Sequence, residues 1–512
     1  MMVRGKGWNL PTALVDPMRE RTSQSPAPLL RRGLIALALG VSMAGCQVLS
    51  GDESAFKPSA NPVTVDTVTR GDRLTALARE QHPRILATYG GEYSDPKLER
   101  MVARVVGSLT LDPENPNQTY QITILNSPNI NAFALPGGYL YVTRGLLALA
   151  NDSAELAAVL AHEMAHVTAN HGVQRQQREA EEVLATKVAT EVLGGDPAAR
   201  VALVRGKLRL AQFSRNQELE ADAVGIRSIA RAGYDPFAAA RFLQSMAAYS
   251  ASRSVTGQED QGLDFLASHP TAPQRIELAL RHARQYAPPG TGNRDRDSFL
   301  AGIDGMLFGD TPQEGFVRGR TFLHPKLGIS FSVPEGFVID NSAAAVTAAG
   351  PGDIAIRFDG VSIDRRVPLT DYIQSGWVAG LDPSSIRKRS INGNEAVSAR
   401  ARAEGWQFDV TVIRAEGEVY RLLTAAPTAS TRLESTASAV SNSFRVLSAV
   451  ERQSLNPLRV RIVTVRPGDT VATLAARMEG VDRKVDMFRL INGMSESATV
   501  SAGGKVKIIT DR

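Results

Sequence analysis

Residues 152–170 read Asp-Ser-Ala-Glu-Leu-Ala-Ala-Val-Leu-Ala-His-Glu-Met-Ala-His-Val-Thr-Ala-Asn, and their apolar spacing predicts one long helix. Asp152 is suited to cap the start of this helix, and Glu155 lies favourably in its first turn. Positions i and i+4 of a helix lie on the same face, one turn apart. His162 and His166 would therefore present both imidazole rings to a single ion.

The spacing His162-Glu163-x-x-His166 is typical of a catalytic zinc site. Zinc binds neutral imidazole, and a catalytic centre has three protein ligands and one open position. Glu163 follows the first histidine, where its carboxylate can reach a water molecule at the metal and act as general base. With 7 histidines and 53 acidic residues in 512, about 0.01 chance matches to this motif are expected. The motif predicts metal-assisted hydrolysis with one Zn²⁺ per chain.

A third ligand is expected from a second predicted helix, which contains Glu218-Leu-Glu220-Ala-Asp222. Glu218 and Asp222 are four residues apart and share one face of the helix, whereas Glu220 points elsewhere. The simplest assignment makes Glu218 the metal ligand. Asp222 would then accept a hydrogen bond from a ligating imidazole and orient it. The alternative is a pair of ordinary solvated surface acids.

At these motifs the chain resembles the gluzincin metalloproteases of the HtpX and CAAX-prenyl-protease type, in particular their BepA-like periplasmic branch. The matching segments are His162–His166, Glu218–Asp222 and an upstream Asn131-Ala-Phe-Ala-Leu-Pro-Gly-Gly138. The resemblance covers about residues 78–285. It implies a mainly α zincin-type fold, a zinc cofactor, Glu218 as third ligand and hydrolysis of peptide bonds in proteins.

The resemblance also implies two roles near the metal. Asn131, Ala132 and Phe133 would form an edge strand that pairs with an extended substrate, and an ordinary core hairpin is the alternative. His269 would approach the zinc as a gate or as an oxyanion stabiliser, and a structural turn histidine is the alternative. His171 lies about 140° around a continuing helix from His166, so it is expected to face solvent or cap the helix end.

The N-terminus resembles a bacterial lipoprotein signal. A basic pair precedes a short apolar stretch that ends at Cys46, the only cysteine of the chain. We interpret residues 1–45 as the signal peptide, with Met18 as an alternative start, and Cys46 as the lipidated residue. A chance cysteine in a plain signal is the alternative. Residues 46–64 read as a tether, and Gln47 favours sorting to the outer membrane of a Gram-negative bacterium.

The remaining composition predicts a multidomain chain. Residues 65–290 would form the metalloprotease domain, and residues 315–447 a separate α+β domain of unknown role. Residues 461–510 resemble a LysM module, a small βααβ fold that binds peptidoglycan. Val465-Arg-Pro-Gly-Asp-Thr470 and Leu490-Ile-Asn492 carry that resemblance. A divergent module that merely packs on its neighbour is the alternative.

Charge and composition exclude one class of partner. The formal net charge is +5 and the pI about 9.3, but no basic block with interleaved aromatics is present, so nucleic acid is not expected. The sequence predicts a periplasmic, lipid-anchored zinc endopeptidase. The resemblance to BepA-like proteases implies that it acts on unfolded or misfolded envelope proteins, in outer-membrane protein quality control. A peptidoglycan-associated hydrolase and a non-catalytic chaperone or assembly factor are the alternatives.

Overall fold

The computed structural model contains helices and sheets arranged in more than one domain, as predicted. The described residues are 71–111, 119–181, 197–256, 265, 269–270, 273–342 and 345–511. The predicted signal peptide, the tether and the lipidation residue Cys46 lie outside them. Every helix within these ranges is too short or too polar to cross a bilayer.

A three-stranded sheet opens the protease region. Its strand order is β1-β3-β2, with β1 parallel and β2 antiparallel to β3, so β2 lies at an edge. Gly137 and Gly138, with φ of 85° and 84°, form the turn between β2 and β3. The elements of this region are α1 (Gly71–Thr88), α2 (Pro96–Thr110), β1 (Gln121–Leu125), β2 (Ala132–Leu135), β3 (Tyr139–Thr143) and α3 (Arg144–Leu149).

The long predicted helix is α4 (Ser153–Thr168), and it is buried over almost its whole length. The Asp152 side chain accepts a hydrogen bond from the backbone N–H of Glu155 and caps it. Helix α5 (Pro197–Arg231) packs against α4. A Cβ atom at Gly225 would lie only 3.1 Å from the backbone nitrogen of His162, so glycine permits this close approach.

The protease core continues past residue 290. Phe299, Leu300 and Ile303 on a short helix are fully buried and join the same core as Leu98 and Val102. The remaining helices of this region are α6 (Ala238–Thr256), α7 (Pro273–Tyr286) and α8 (Arg296–Ile303).

The next region is rich in β-structure and has its own aromatic core, which includes Phe331, Phe358 and Phe444. Seven antiparallel strands follow the order β10-β11-β12-β13-β9-β8-β7, and four more follow β14-β6-β5-β4. Its elements are β4 (Phe316–Arg318), β5 (Thr321–His324), β6 (Ile329–Ser332), β7 (Val338–Asn341), β8 (Val346–Gly350), β9 (Ile354–Val361), α9 (Leu369–Ile373), β10 (Leu381–Ile391), β11 (Asn394–Ala403), β12 (Trp406–Ala415), β13 (Glu418–Pro427), α10 (Leu433–Ser443), β14 (Arg445–Val446) and α11 (Ala449–Ser454).

The C-terminal unit has strand–helix–helix–strand order, and its two strands pair antiparallel. Its apolar residues belong to the same core cluster as those of the protease region. Lys507 is fully buried, and its ammonium group donates to the carbonyls of Ala148, Leu149 and Ala150 at 2.8, 3.2 and 2.7 Å. The unit consists of β15 (Arg459–Thr464), α12 (Val471–Ala476), α13 (Lys484–Ile491) and β16 (Lys505–Thr510).

Candidate metal centre

Three side chains from α4 and α5 converge on one point. The Nε2 atoms of His162 and His166 are 3.0 Å apart. The carboxylate of Glu218 lies 3.5 Å from each of them, through Oε2 to His162 and Oε1 to His166. Metal–ligand bonds of about 2.0–2.2 Å in a tetrahedral site place neighbouring donor atoms roughly 3.3–3.5 Å apart. The three donors therefore have nearly the spacing that a single ion requires.

His269 approaches the same point from another segment. Its Nδ1 atom lies 3.0 Å from both oxygens of Glu218 and 3.4 Å from Nε2 of His162. Donor atoms of His162, His166, Glu218 and His269 all lie within 4.8 Å of one another. Imidazole nitrogens with one carboxylate suit a divalent transition metal, so this group can hold a metal ion.

Glu163 is positioned beside the donors without being one of them. The residue is 3% exposed, and Oε1 has no hydrogen-bond partner among the described residues. That oxygen lies 3.4 Å from Nε2 of His269. A buried carboxylate oxygen without a partner is costly unless the site supplies one. Glu163 is therefore suited to a water molecule or another hydrogen-bond donor at the metal position.

Asp222 supports the first histidine and is itself held by an arginine. Its Oδ1 lies 2.9 Å from Nδ1 of His162, on the side of the ring away from the donors. Arg275 donates to both oxygens of Asp222, at 2.8 and 2.9 Å, and lies 3.1 Å from Glu218. Arg275 had no predicted role, and its signal in the sequence is its position six residues after His269, in a segment that resembles the family.

The expectation that His171 faces solvent is wrong. The residue is 3% exposed, and its Nδ1 lies 2.9 Å from Nδ1 of His166. Helix α4 ends at Thr168, and Asn170 adopts φ 55°, so the helix assumed by the 140° rotation does not continue. Asn170 is itself the available signal, because asparagine enters the left-handed region more readily than most residues.

Burial and neighbouring charges shift the pKa values of the site residues in different directions. Burial lowers the pKa of His162, but hydrogen bonds to Asp222 and Glu218 outweigh it and raise this pKa to about 10. Burial and the neighbouring His162 and His269 lower the pKa of His166. Burial opposes ionisation of Glu218, but its histidine partners hold its pKa far below the usual range. Burial raises the pKa of Glu163, against the opposing charges of His269 and His162.

The segment predicted to bind substrate lies next to the site. Ala132 and Phe133 belong to the edge strand β2, which packs beside α4. Asn131 precedes the strand, is buried, and donates from its side chain to the hydroxyl of Tyr89 at 3.0 Å. Ile130, the next residue upstream, accepts a backbone hydrogen bond from Phe265 at 2.8 Å.

Comparisons with known proteins agree with this geometry. Residues 92–283 match the family model Peptidase family M48. Over 213 residues the chain is 32% identical to the Beta-barrel assembly-enhancing protease of Yersinia pestis, covering 39% of this chain and 42% of the relative. It is 28% identical over 240 residues to a Putative beta-barrel assembly-enhancing protease of Vibrio cholerae, covering 45% and 47%. It is 29% identical over 229 residues to the Mitochondrial metalloendopeptidase OMA1 of Schizosaccharomyces pombe, covering 43% and 62%.

These matches confirm the resemblance to BepA-like metalloproteases over the protease region. The region carrying His162, His166 and Glu218 matches the M48 peptidase model and is similar to named metalloendopeptidases. The matches span less than two thirds of the length of these relatives, from 42% to 62%.

Proposed function

We propose that the protein is a zinc-dependent endopeptidase of the bacterial cell envelope that hydrolyses peptide bonds in unfolded or misfolded proteins. One observation carries the proposal. Donor atoms of His162, His166 and Glu218 converge at 3.0–3.5 Å, nearly the tetrahedral spacing. Oε1 of Glu163, which is buried and has no hydrogen-bond partner among the described residues, lies 3.4 Å from the neighbouring His269 ring. A site built only for binding has no need of a general base in that position.

The side chains divide the chemistry between them. A zinc ion held by His162, His166 and Glu218 would supply Lewis-acid activation of a water molecule and of the scissile carbonyl. Glu163 accepts a proton from the attacking water, and burial raises the pKa of its carboxyl group, which favours proton uptake. The protonated Glu163 then donates to the leaving amine. Asp222 holds the ring of His162 in place.

The substrate would bind as an added strand. The outer edge of β2, with Ala132 and Phe133, offers backbone donors and acceptors beside α4. An extended peptide paired there would have its backbone fixed across the metal position. This mode recognises backbone and not sequence, which suits a protease acting on unfolded proteins.

We place the protein in the periplasm, anchored to the outer membrane through a lipid on Cys46. The names of the bacterial relatives, which refer to β-barrel assembly, support an envelope role in outer-membrane protein quality control. The strand–helix–helix–strand order of the C-terminal unit supports a LysM-like module, so residues 461–510 would bind peptidoglycan.

Zinc content and casein cleavage by the full chain test the proposal. We expect about one zinc per chain, cleavage of casein, and loss of cleavage when a chelator removes the metal. Purified sacculi should bind the protein without being digested. Release of soluble wall fragments would favour a peptidoglycan hydrolase instead. If the protein neither binds zinc nor cleaves casein, a chaperone or assembly factor would be the better description.

We further propose that His269 gates the site. Its Nδ1 occupies a fourth donor position around the metal point, and a catalytic zinc needs that position open. Replacing His269 with Ala is therefore expected to raise casein cleavage by the zinc-loaded protein about tenfold, equivalent to roughly 1.4 kcal/mol. The measurement is the cleavage rate at equal zinc occupancy, because the variant also loses a donor.

The same variant distinguishes the two roles that the sequence left open. An oxyanion stabiliser would instead make His269→Ala slower by about 10²–10³-fold. His324→Ala is the matched control, because His324 is also buried but lies in the β-rich region. Its cleavage rate should equal that of the parent.

A further inference from the structure

The second metal-binding histidine has a partner that no motif indicates. Nδ1 of His166 lies 2.9 Å from Nδ1 of His171, and the two rings meet edge to face at 77°. On its other side, Nε2 of His171 lies 3.5 Å from Oε2 of Glu220. The backbone carbonyl of His171 accepts a hydrogen bond from Gln217 at 3.1 Å. Helix α5 therefore fixes His171 through both its ring and its backbone.

The hydrogen-bond donors and acceptors along His166, His171 and Glu220 follow from the tautomer that a metal-binding histidine must adopt. A neutral His166 that gives its Nε2 lone pair to a metal must carry its proton on Nδ1. That N–H can donate to His171 only if Nδ1 of His171 is an acceptor. The proton of a neutral His171 is then on Nε2, which otherwise has no hydrogen-bond partner among the described residues and faces the Glu220 carboxylate.

We propose that His171 and Glu220 are positioning residues that orient His166 and strengthen its bond to the metal. The inference rests on the proposed zinc site and extends it. Asp222 orients His162 directly, whereas Glu220 acts on His166 through an intervening imidazole. The short motif Glu218-x-Glu220-x-Asp222 thus supplies one ligand and a support for each of the two histidine ligands. Partners of this kind fix the tautomer and the ring orientation of a ligand.

Zinc affinity of the full chain, measured by competition with a chelator at fixed pH, tests the proposal. His171→Ala is expected to weaken zinc binding about 10–100-fold. His171→Asn and His171→Gln form a matched pair of amides. Asparagine places an acceptor at the position of Nδ1, so it should retain most of the affinity. Glutamine places its amide near the position of Nε2 and should not. The ligand-field spectrum of the cobalt-substituted protein should change with glutamine and much less with asparagine.

Glu220→Gln tests the second link. Because Glu220 acts through His171, the variant His171→Ala/Glu220→Gln should bind zinc no more weakly than His171→Ala alone. His82→Ala is the control, because His82 lies in the same region but bonds the hydroxyl of Tyr141 instead. It should bind zinc like the parent.

Four results would overturn the inference. Unchanged affinity in His171→Ala would remove His171 from the metal site. Equal affinities of the asparagine and glutamine variants would reduce it to a packing residue, and this comparison remains available if His171→Ala does not fold. If the losses of zinc affinity from the two substitutions add in the double variant, Glu220 does not act through His171. A parent protein that binds no zinc would overturn the proposed function and this inference with it.

Discussion

Replacing Glu163 with Gln is expected to lower the casein cleavage rate by about 10³-fold while zinc stays bound. Glutamine keeps the size of the side chain but cannot accept a proton from the attacking water. Glu163 is not among the side chains whose donor atoms converge, so the metal should be retained. Cleavage and zinc content measured on the same sample separate these two effects.

The control for this variant is Glu277→Gln. Glu277 is exposed on α7, the helix that also carries Arg275. The substitution therefore removes a carboxylate from the same region without changing the site. Its cleavage rate and zinc content should equal those of the parent. Full activity in Glu163→Gln would exclude Glu163 as the base. Loss of zinc from that variant would instead assign Glu163 a part in holding the metal.

The sequence predicted the parts of the site that depend on local helical geometry. Asp152 as the cap correctly predicted where α4 begins. The spacing of one helical turn between His162 and His166 predicted that their rings converge. The same argument put Glu218 and Asp222 on one face of α5, where both now meet the histidines. Their assignment as ligand and support stays a prediction until metal binding is measured.

Contacts between segments that are distant in sequence could not be predicted from the periodicity of the sequence. His269 reaches His162 across 107 residues, and only the family resemblance, not the periodicity, indicated that approach. Arg275 lies against Asp222 through the packing of α7 on α5. His171 was misplaced for a different reason. The helix ends at Thr168 and Asn170 has a positive φ, so extending helical geometry to His171 gave the wrong position for this one residue.

Lys507 in the C-terminal unit makes a long-range contact of this kind with the end of α3. Replacing it with Met is expected to lower the local stability of α3 and α4 by about 3 kcal/mol. Its Nζ donates to three carbonyls at the C-terminal end of α3, which lie 357–359 residues away in sequence. Each buried acceptor left without a donor costs roughly 1–3 kcal/mol. The charge of Glu155, which is also buried, would lose part of its compensation.

Hydrogen–deuterium exchange of the backbone amides in α3 and α4 is the appropriate measurement. A single unfolding free energy is not well defined for a multidomain chain, whereas exchange reports the opening of one region. Lys505→Met is the matched control on the same strand. The Lys505 side chain is 42% exposed and pairs with Asp297 at the surface, so its loss should cost about 0–1 kcal/mol. Equal exchange in the two variants would contradict a specific role for Lys507.

The stability difference between the parent and Lys507→Met is expected to widen as the pH rises from about 7 to about 9. Burial lowers the pKa of Lys507 to about 7, against the opposing charge of Glu155, whereas an unfolded lysine titrates near 10.4. Between those values the unfolded chain binds more protons than the folded chain, so the parent gains up to about 1.4 kcal/mol per pH unit. Methionine does not titrate and cannot contribute this gain. A constant difference would mean that Lys507 keeps its ammonium charge in the folded protein, held by the three carbonyls that it bonds.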